Sequence, residues 1–196
     1  MSTDTINKAV INDARLLNYN ENNPCIWVAN LGAYNSGRMV GKWLDLTTFK
    51  TVEELKEAVD RIANYLGSIY GDEWAIHDYA NFPNLGENPD LEFVFELNET
   101  LENHFAKDAL TAFLEYHGIQ YFDDVTHLET EFDELYDGAH DTFQEFAENL
   151  FDELYLHEVP EHIQNYIDYE KYARDLSFEY YEVDNPKGGI FVFRNC

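Results

Sequence analysis

The sequence predicts an α+β protein made of short elements. Two runs near the N-terminus, 25–31 and 38–46, are rich in β-branched and aromatic residues, which is typical of strands. From residue 52 onward, apolar residues recur at helical spacing in several segments. Hydrophobic residues make up 45% of the 196 residues and aromatic residues 16%, so the chain can bury a core although its net charge is −27.

The N-terminal part predicts a small α+β unit that follows a polar, Asn-rich extension over residues 1–22. The runs 25–31 and 38–46 are expected to be strands joined by a turn over 32–37, a stretch that begins and ends with glycine. A third strand is expected over residues 74–79.

A helix is predicted between the second and third strands. Thr51 and Glu54 have the spacing of a capping box, in which each side chain satisfies a backbone N–H near the other residue. The helix is expected to end near Gly67 or Gly71. Its apolar face consists of Val52, Leu55, Val59, Ile62 and Leu66.

The middle of the chain predicts a linker followed by helices. Residues 81–89 contain two Pro, one Gly and three Asn, a composition typical of a loop. Residues 90–130 are expected to be helical, with a stop at Gly118. A short strand is expected over residues 132–136, before Gly138.

Two further helices are predicted after residue 140. Asp141, with Gln144 in the capping-box position, is expected to begin the first of them. Pro160 suits the first turn of the second, and Asp168 is expected to break or recap it. The buried stripe of the first helix is expected to be Phe143, Ala147, Leu150, Phe151 and Leu154.

The negative charge is concentrated in the middle hundred residues. Residues 71–170 carry 27 acidic residues and one basic residue, whereas residues 1–70 carry eight acidic and seven basic residues, and residues 171–196 carry four of each. Such a surface repels phosphate, which excludes direct binding to nucleic acid or to an anionic membrane. Basic or cationic partners are expected.

The predicted helix that begins near residue 141 suggests what this charge could imitate. Glu145, Glu148 and Asp152 lie at i, i+3 and i+7, opposite the apolar stripe, with no Lys or Arg between them to form supporting pairs. Duplex DNA carries one negative charge per about 1.7 Å of axis, so the charge of residues 71–170 matches about 44 Å of duplex. One chain therefore holds enough charge to imitate about a dozen base pairs.

Enzyme activity has no support in the sequence. His157 and His162 are separated by four residues that include Pro160, which breaks the helical spacing that a zinc protease needs. Among 39 acidic residues, chance pairs of carboxylates carry no information about a glycosidase site. We therefore expect no catalytic residue, no metal and no cofactor. The two cysteines, Cys25 and Cys196, cannot make a disulfide framework, and with no evident signal peptide or membrane span we expect a cytoplasmic protein.

Three separated blocks of sequence resemble one known family. They read IWVANLGAYNSGRMVGKW from Ile26, WAIHDY from Trp74 and PEHIQNYIDYEKYARDL from Pro160, and a terminal strand, IFVFRN, follows them. Together they are similar to the ArdA antirestriction proteins of conjugative elements and phages. The resemblance covers residues 24–196 and gives the N-terminal extension no role.

The resemblance implies both a fold and a function. It implies an elongated homodimer with three small domains per chain, expected here at 23–88 (α+β), 89–130 (helical) and 131–196 (α+β with a short antiparallel sheet). It also implies a DNA mimic, not an enzyme, that inhibits type I restriction-modification enzymes by occupying the DNA-binding groove of their methyltransferase and specificity subunits. Two alternatives stay open: an acidic carrier or chaperone for basic proteins, and a carboxylate-based metal-dependent hydrolase.

Charge and resemblance together predict the residues that carry the function. The expected phosphate-mimicking residues are Asp123, Asp124, Glu129, Asp133, Glu134, Asp137, Asp141, Glu145, Glu148, Asp152, Glu153 and Glu158. By resemblance, the antirestriction motif comprises Asn165, Tyr166, Ile167, Asp168, Tyr169 and Glu170.

The C-terminus predicts a hairpin with strands over residues 180–183 and 190–193. A two-stranded ribbon cannot hide much apolar surface by itself, and a two-fold dimer is the commonest way to cover it. The resemblance also assigns the dimer contact to this domain. The expected contact residues are Tyr180, Val183, Ile190, Phe191 and Phe193.

Overall fold

The computed structural model describes residues 20–64 and 69–195, which divide into two compact units. The first unit ends at His104 and the second begins at Phe105. The described residues form eight α-helices and two three-stranded antiparallel sheets, which confirms the α+β class. Most of the expected extension lies outside the described residues, and the three-domain division stays a prediction. Within the described ranges, no helix has the length and apolar character needed to cross a membrane.

The sheet of the first unit contains the three predicted strands. β1 (Cys25–Asn30) lies between β2 (Gly41–Asp45) and β3 (Trp74–Ala80), and both pairings are antiparallel. Ile26 and Val28 in the central strand are fully buried, so this sheet forms the centre of the unit's core.

The turn predicted over residues 32–37 is confined to Ser36 and Gly37, because a short helix, α1 (Leu31–Asn35), follows β1 directly. The Asn30 side chain accepts a hydrogen bond from the backbone N–H of Ala33 at 2.7 Å and so caps this helix. A Cβ atom on Gly32 would lie 1.8 Å from the carbonyl oxygen of Tyr70. Glycine is therefore needed there for close backbone packing rather than for a turn.

Helix α2 (Val52–Ala63) begins with the predicted capping residues. The Thr51 hydroxyl accepts from the Glu54 N–H at 3.3 Å, and the Glu54 carboxylate accepts from the N–H of Lys50 at 2.9 Å. The predicted end at Gly67 or Gly71 is wrong, because the helix ends at Ala63, whose carbonyl accepts a hydrogen bond from the Asn30 side chain. The residues of α2 that are buried are Leu55, Ala58, Val59, Ile62 and Ala63, whereas the predicted Leu66 lies outside the described residues.

The expected linker over 81–89 contains no helix or strand, but it is part of the first unit and packs against β3. Leu85 is buried, and the carbonyl of Glu87 accepts a hydrogen bond from the N–H of Ile76 in β3 at 2.8 Å. Helix α3 (Leu91–Asn103) follows, and the Asp90 side chain caps it by accepting from the Glu92 N–H.

The second unit begins with two of the predicted helices. Helix α4 (Lys107–His117) ends at Gly118, as predicted, where φ is +81°. A short 3₁₀ turn leads to helix α5 (Val125–Leu135), which Asp124 caps.

The strand predicted over residues 132–136 is wrong, because helix α5 continues through Leu135. Val125, Leu128 and Phe132 are all buried at helical spacing, so packing of one helix face determines the structure here. The strand, β4 (Tyr136–His140), follows the helix and contains Gly138 rather than preceding it.

The predicted C-terminal hairpin is confirmed as β5 (Tyr180–Asp184) and β6 (Ile190–Arg194). Strand β6 lies at the centre of the second sheet, between β4 and β5. The hairpin is therefore part of a three-stranded sheet, with Tyr136 of β4 opposite Phe193 of β6.

Helix α6 (Phe143–Leu154) begins one residue later than predicted. Thr142, not Asp141, is the N-cap and accepts from the Glu145 N–H at 3.1 Å, while the Glu145 carboxylate accepts from the Asp141 N–H at 2.9 Å. Phe146 and Ala147 are its buried residues, whereas the predicted Leu154 is 46% exposed.

Two short helices complete the second unit. Helix α7 (Glu161–Gln164) follows Pro160 directly, and Asp168 begins helix α8 (Tyr169–Leu176) by accepting from the N–H of Lys171 at 3.0 Å. Both Pro160 and Asp168 thus lie at helix starts, as the sequence predicts.

Candidate functional site

The second unit carries most of the charge. Residues 105–196 contain 22 acidic and five basic residues, whereas residues 1–104 contain 17 acidic and seven basic residues. Three of the five basic side chains form ion pairs within the unit: Arg194 with Asp137, Lys187 with Asp108 and Arg174 with Asp175. Five cations cannot neutralise 22 carboxylates, so the surface of this unit is strongly negative.

Helix α6 presents the acidic face that the sequence predicts. Glu145, Asp152 and Glu153 are exposed, and Phe146 and Ala147 are buried on the opposite side. Glu148 is half-buried, and its carboxylate accepts a hydrogen bond from the Gln144 amide at 2.8 Å.

A second group of acids lies on and before helix α5. His127 stands near Asp123 and Glu131, with nitrogen-to-oxygen distances of 3.9 and 3.8 Å. Its Nδ1 accepts from the Asp123 N–H at 3.2 Å. No Lys or Arg lies within α5 to pair with its acidic residues.

The predicted phosphate-mimicking residues differ in their surroundings. Asp137 forms two hydrogen bonds with Arg194, at 2.7 and 2.8 Å, so its charge is neutralised locally. Two others, Glu129 and Glu148, are half-buried. The exposed residues of the predicted set are Asp123, Asp124, Asp133, Glu134, Asp141, Glu145, Asp152, Glu153 and Glu158.

The predicted antirestriction motif, residues 165–170, joins α7 to α8 and packs along α6. The Tyr169 hydroxyl donates a hydrogen bond to Asp152 at 2.5 Å. This bond is the main reason that the pKa of Tyr169 is raised to about 12. The Phe151 ring packs against the rings of Tyr169 and Tyr172, with centroids 5.5 and 5.1 Å apart. The motif is thereby attached to the acidic helix.

An open depression separates the motif from the first turns of α6. Gln144 and Glu148 line one side, and the motif residues 165–170 line the rest. Tyr166, at its edge, is 83% exposed. No local pattern in the sequence predicts this depression, because it joins segments about twenty residues apart.

The expected dimer-contact residues occupy two kinds of position. Phe191 and Phe193 are buried within their own chain, because β4 and the helices of the second unit cover the hairpin. Phe193 packs against Phe113 and Phe132 with centroid distances of 5.1 and 6.0 Å. Tyr180, Val183 and Ile190 are half-buried. An isolated two-stranded ribbon would expose apolar surface that a dimer could cover. In this chain, that surface is already largely covered by the rest of the second unit.

Metal-ligating side chains do not cluster in the part of the chain that the structure describes. Across 20–64 and 69–195, no three His, Cys, Asp or Glu side chains converge on a position where they could hold a metal ion. His157 lies 3.9 Å from its neighbour Glu158, and both are exposed.

Comparison with known protein families gives a match over most of the chain. Residues 26–188 match the family model described as antirestriction protein (ArdA), which extends from β1 to the turn before β6. A search of curated proteins gave no significant match.

Proposed function

Because the chain belongs to the ArdA family of antirestriction proteins, we propose that it inhibits type I restriction-modification enzymes by binding in the place of DNA. The observation that carries this proposal is the excess of exposed carboxylates on the second unit. This unit contains 22 acidic residues, most of them exposed, and only five basic ones. A basic groove that binds DNA phosphates attracts such a surface by the same long-range electrostatics.

The proposed partner is the complex of methyltransferase and specificity subunits. That complex must hold a stretch of duplex, and the negative charge of residues 71–170 corresponds to about 44 Å of duplex axis. A homodimer doubles the available charge and suits a two-fold or bipartite DNA target. Tyr180, Val183 and Ile190, which are half-buried, remain the candidates for the dimer contact on the hairpin.

This function requires occupancy rather than chemistry. The inhibitor therefore acts in stoichiometric amounts, without a cofactor and inside the cell that holds the restriction enzyme. An acidic carrier for basic proteins would also bind a restriction enzyme, but it would have no reason to compete with specific DNA. A metal-dependent hydrolase would act in substoichiometric amounts and would lose activity in a chelator.

Competition with DNA tests the proposal. A purified type I methyltransferase is bound to a labelled oligonucleotide that carries its recognition sequence, and the protein is titrated into the complex. We expect displacement of the labelled DNA at a ratio of one dimer per enzyme, and weaker displacement as salt is raised, because screening and counterion binding oppose the association. Undiminished binding of the protein to an enzyme saturated with specific DNA would contradict the proposal.

A further inference from the structure

The depression between the motif and α6 differs from the rest of the acidic surface. Elsewhere in this unit, carboxylates such as those of Asp133, Asp152 and Glu153 stand exposed on helices α5 and α6. Here Glu148, Asp168 and Glu170 line one depression together with Tyr166 and Tyr169. Carboxylates alone would bind any cation weakly, whereas carboxylates combined with an aromatic face select for particular cations.

The walls of the depression are fixed by hydrogen bonds. The Gln144 amide holds the Glu148 carboxylate at 2.8 Å, and one oxygen of Asp168 accepts the Lys171 N–H at 3.0 Å. The Tyr169 hydroxyl is bound to Asp152. Side chains fixed before a ligand arrives lose little conformational entropy on binding.

Tyr166 lines the depression, but its side chain is not buried in the fold. Its side chain is 83% exposed, although an aromatic ring is normally stabilised by burial. Its backbone N–H donates to the carbonyl of Ile163 at 2.9 Å, which fixes the main chain at the edge of the depression. Tyr166 therefore lines the same depression as the carboxylates, and its side chain is open to a partner.

From this arrangement we infer that the depression receives an arginine side chain of the target enzyme. A guanidinium is planar, weakly hydrated and always charged, so it stacks on a ring while donating to carboxylates at its edge. Lysine fits less well because its compact ammonium is strongly hydrated and cannot stack. This inference rests on the proposed function, since a DNA-binding groove supplies the arginine.

Substitutions at Tyr166 test the ring. We expect Tyr166→Leu to raise the concentration for half-inhibition of a type I enzyme by about fivefold to tenfold, the range of a partly desolvated cation–π contact. Tyr166→Phe keeps the ring face and should stay within about twofold of the wild type. Phe178→Leu is the matched control, because Phe178 is 79% exposed in the same unit and does not line the depression. Inhibition by this control should be unchanged.

Direct binding tests the ligand. N-acetylarginine amide, titrated into the full-length protein, should shift the ring resonances of Tyr166 saturably at millimolar concentration, and N-acetyllysine amide should shift them less. Equal shifts with both amides, spread over the whole acidic surface, would overturn the inference. Sedimentation of Tyr166→Leu should give the wild-type mass; a loss of mass would show that a second copy of the chain occupies the depression, and would also overturn it.

The two proposals fail in different ways. If Tyr166→Leu inhibits as well as the wild type, the arginine site is wrong while the proposed function stands. If the wild-type protein itself does not displace DNA from a type I enzyme, the proposed function is wrong.

Discussion

The two units of the chain hold acidic residues in contrasting surroundings. In the first unit, the Asp45 carboxylate is buried and accepts hydrogen bonds from the side chains of Asn23 and Thr47, at 2.8 and 2.6 Å. In the second unit, the acidic side chains on α6 stand mostly exposed, and arginines hold Asp137 and Asp175 with two hydrogen bonds each. Asp45 therefore serves the fold of the first unit, whereas the exposed acids of α6 do not contribute to the core of the second.

The cores differ as well. The first unit is centred on aliphatic residues such as Ile26, Val28 and Leu55, which are fully buried. The second is centred on rings, with Phe113 in contact with Phe122, Phe132 and Phe193. Large rings bury more area per residue, which offsets the repulsion among the surface carboxylates.

Removal of one central ring should have the largest effect. We expect Phe193→Ala to lower the free energy of unfolding of the second unit by about 3–5 kcal/mol, because it leaves a cavity among Phe113 and Phe132. Thermal unfolding followed by far-ultraviolet circular dichroism measures the loss.

Tryptophan fluorescence tests whether the two units unfold separately. Trp27, Trp43 and Trp74 lie on the three strands of the first unit, and these are all the tryptophans of the chain. If the units are energetically distinct, the fluorescence transition of Phe193→Ala stays near the wild-type temperature. An equal shift of both transitions would contradict the distinction.

Salt should act on stability and on binding in opposite directions. Screening reduces repulsion among the carboxylates of the second unit, so its unfolding temperature should rise by several degrees, about 1 kcal/mol, between low and physiological ionic strength. The same change should weaken association with the target enzyme. Parallel changes in stability and affinity would mean that the carboxylates do not carry the interaction.

The ion pair between Arg194 and Asp137 should have a smaller effect. It joins β6 to β4 through two hydrogen bonds, but the arginine side chain is 55% exposed, so solvent screens the pair. We expect Arg194→Leu to cost about 1 kcal/mol in the free energy of unfolding. Lys187→Leu is the control. It removes the ion pair with Asp108, in which the lysine side chain is 73% exposed, and it should lower the free energy of unfolding by less.

The hydrogen bond from Tyr169 should have the smallest effect, and it depends on pH. A pKa raised to about 12 means that the folded state favours the protonated phenol. The contribution is complete below the unfolded value near 10 and is lost as the pH rises toward 12. Burial also raises the pKa of other tyrosines, Tyr79 among them, so the tyrosinate absorbance of the wild type should include several late-titrating groups. Tyr169→Phe should reduce the late absorbance change by one tyrosine and leave the titration of the others unchanged. A late change of the same size as in the wild type would refute the assignment.

Local sequence patterns predict the features that depend on interactions between near neighbours in the chain. The capping residues Thr51, Asp168 and Gly118 were identified because their side chains, or lack of one, act within a single turn. The predicted start of α6 differs from the observed one by a single residue because Asp141 and Thr142 are both good capping residues.

Contacts between distant segments could not be predicted in this way. The strand expected over 132–136 is helical because Phe132 completes a buried face with Val125 and Leu128. Likewise, the pairing of β4 with β6 covers rings that an isolated hairpin would expose. The hydrogen bond from Tyr169 to Asp152, which attaches the motif to the acidic helix, has no sequence signature either.

A cumulative charge series tests the central claim that inhibition is distributed over many carboxylates, most of them exposed. Each exposed pair with a basic groove contributes about 0–1 kcal/mol, so Glu145→Gln or Asp152→Asn alone should change the half-inhibition concentration by about fivefold at most, and we expect the same limit for Glu148→Gln, whose carboxylate is half-buried. Variants that remove six to eight acids, drawn from Asp123, Asp124, Glu129, Asp133, Glu134, Asp141, Glu145, Glu148, Asp152 and Glu153, should lose inhibition step by step. Circular dichroism of each variant verifies that it is folded, and sedimentation verifies its mass. The account predicts a graded dose–response series; a single amide substitution that abolishes inhibition in a folded protein of wild-type mass would contradict it.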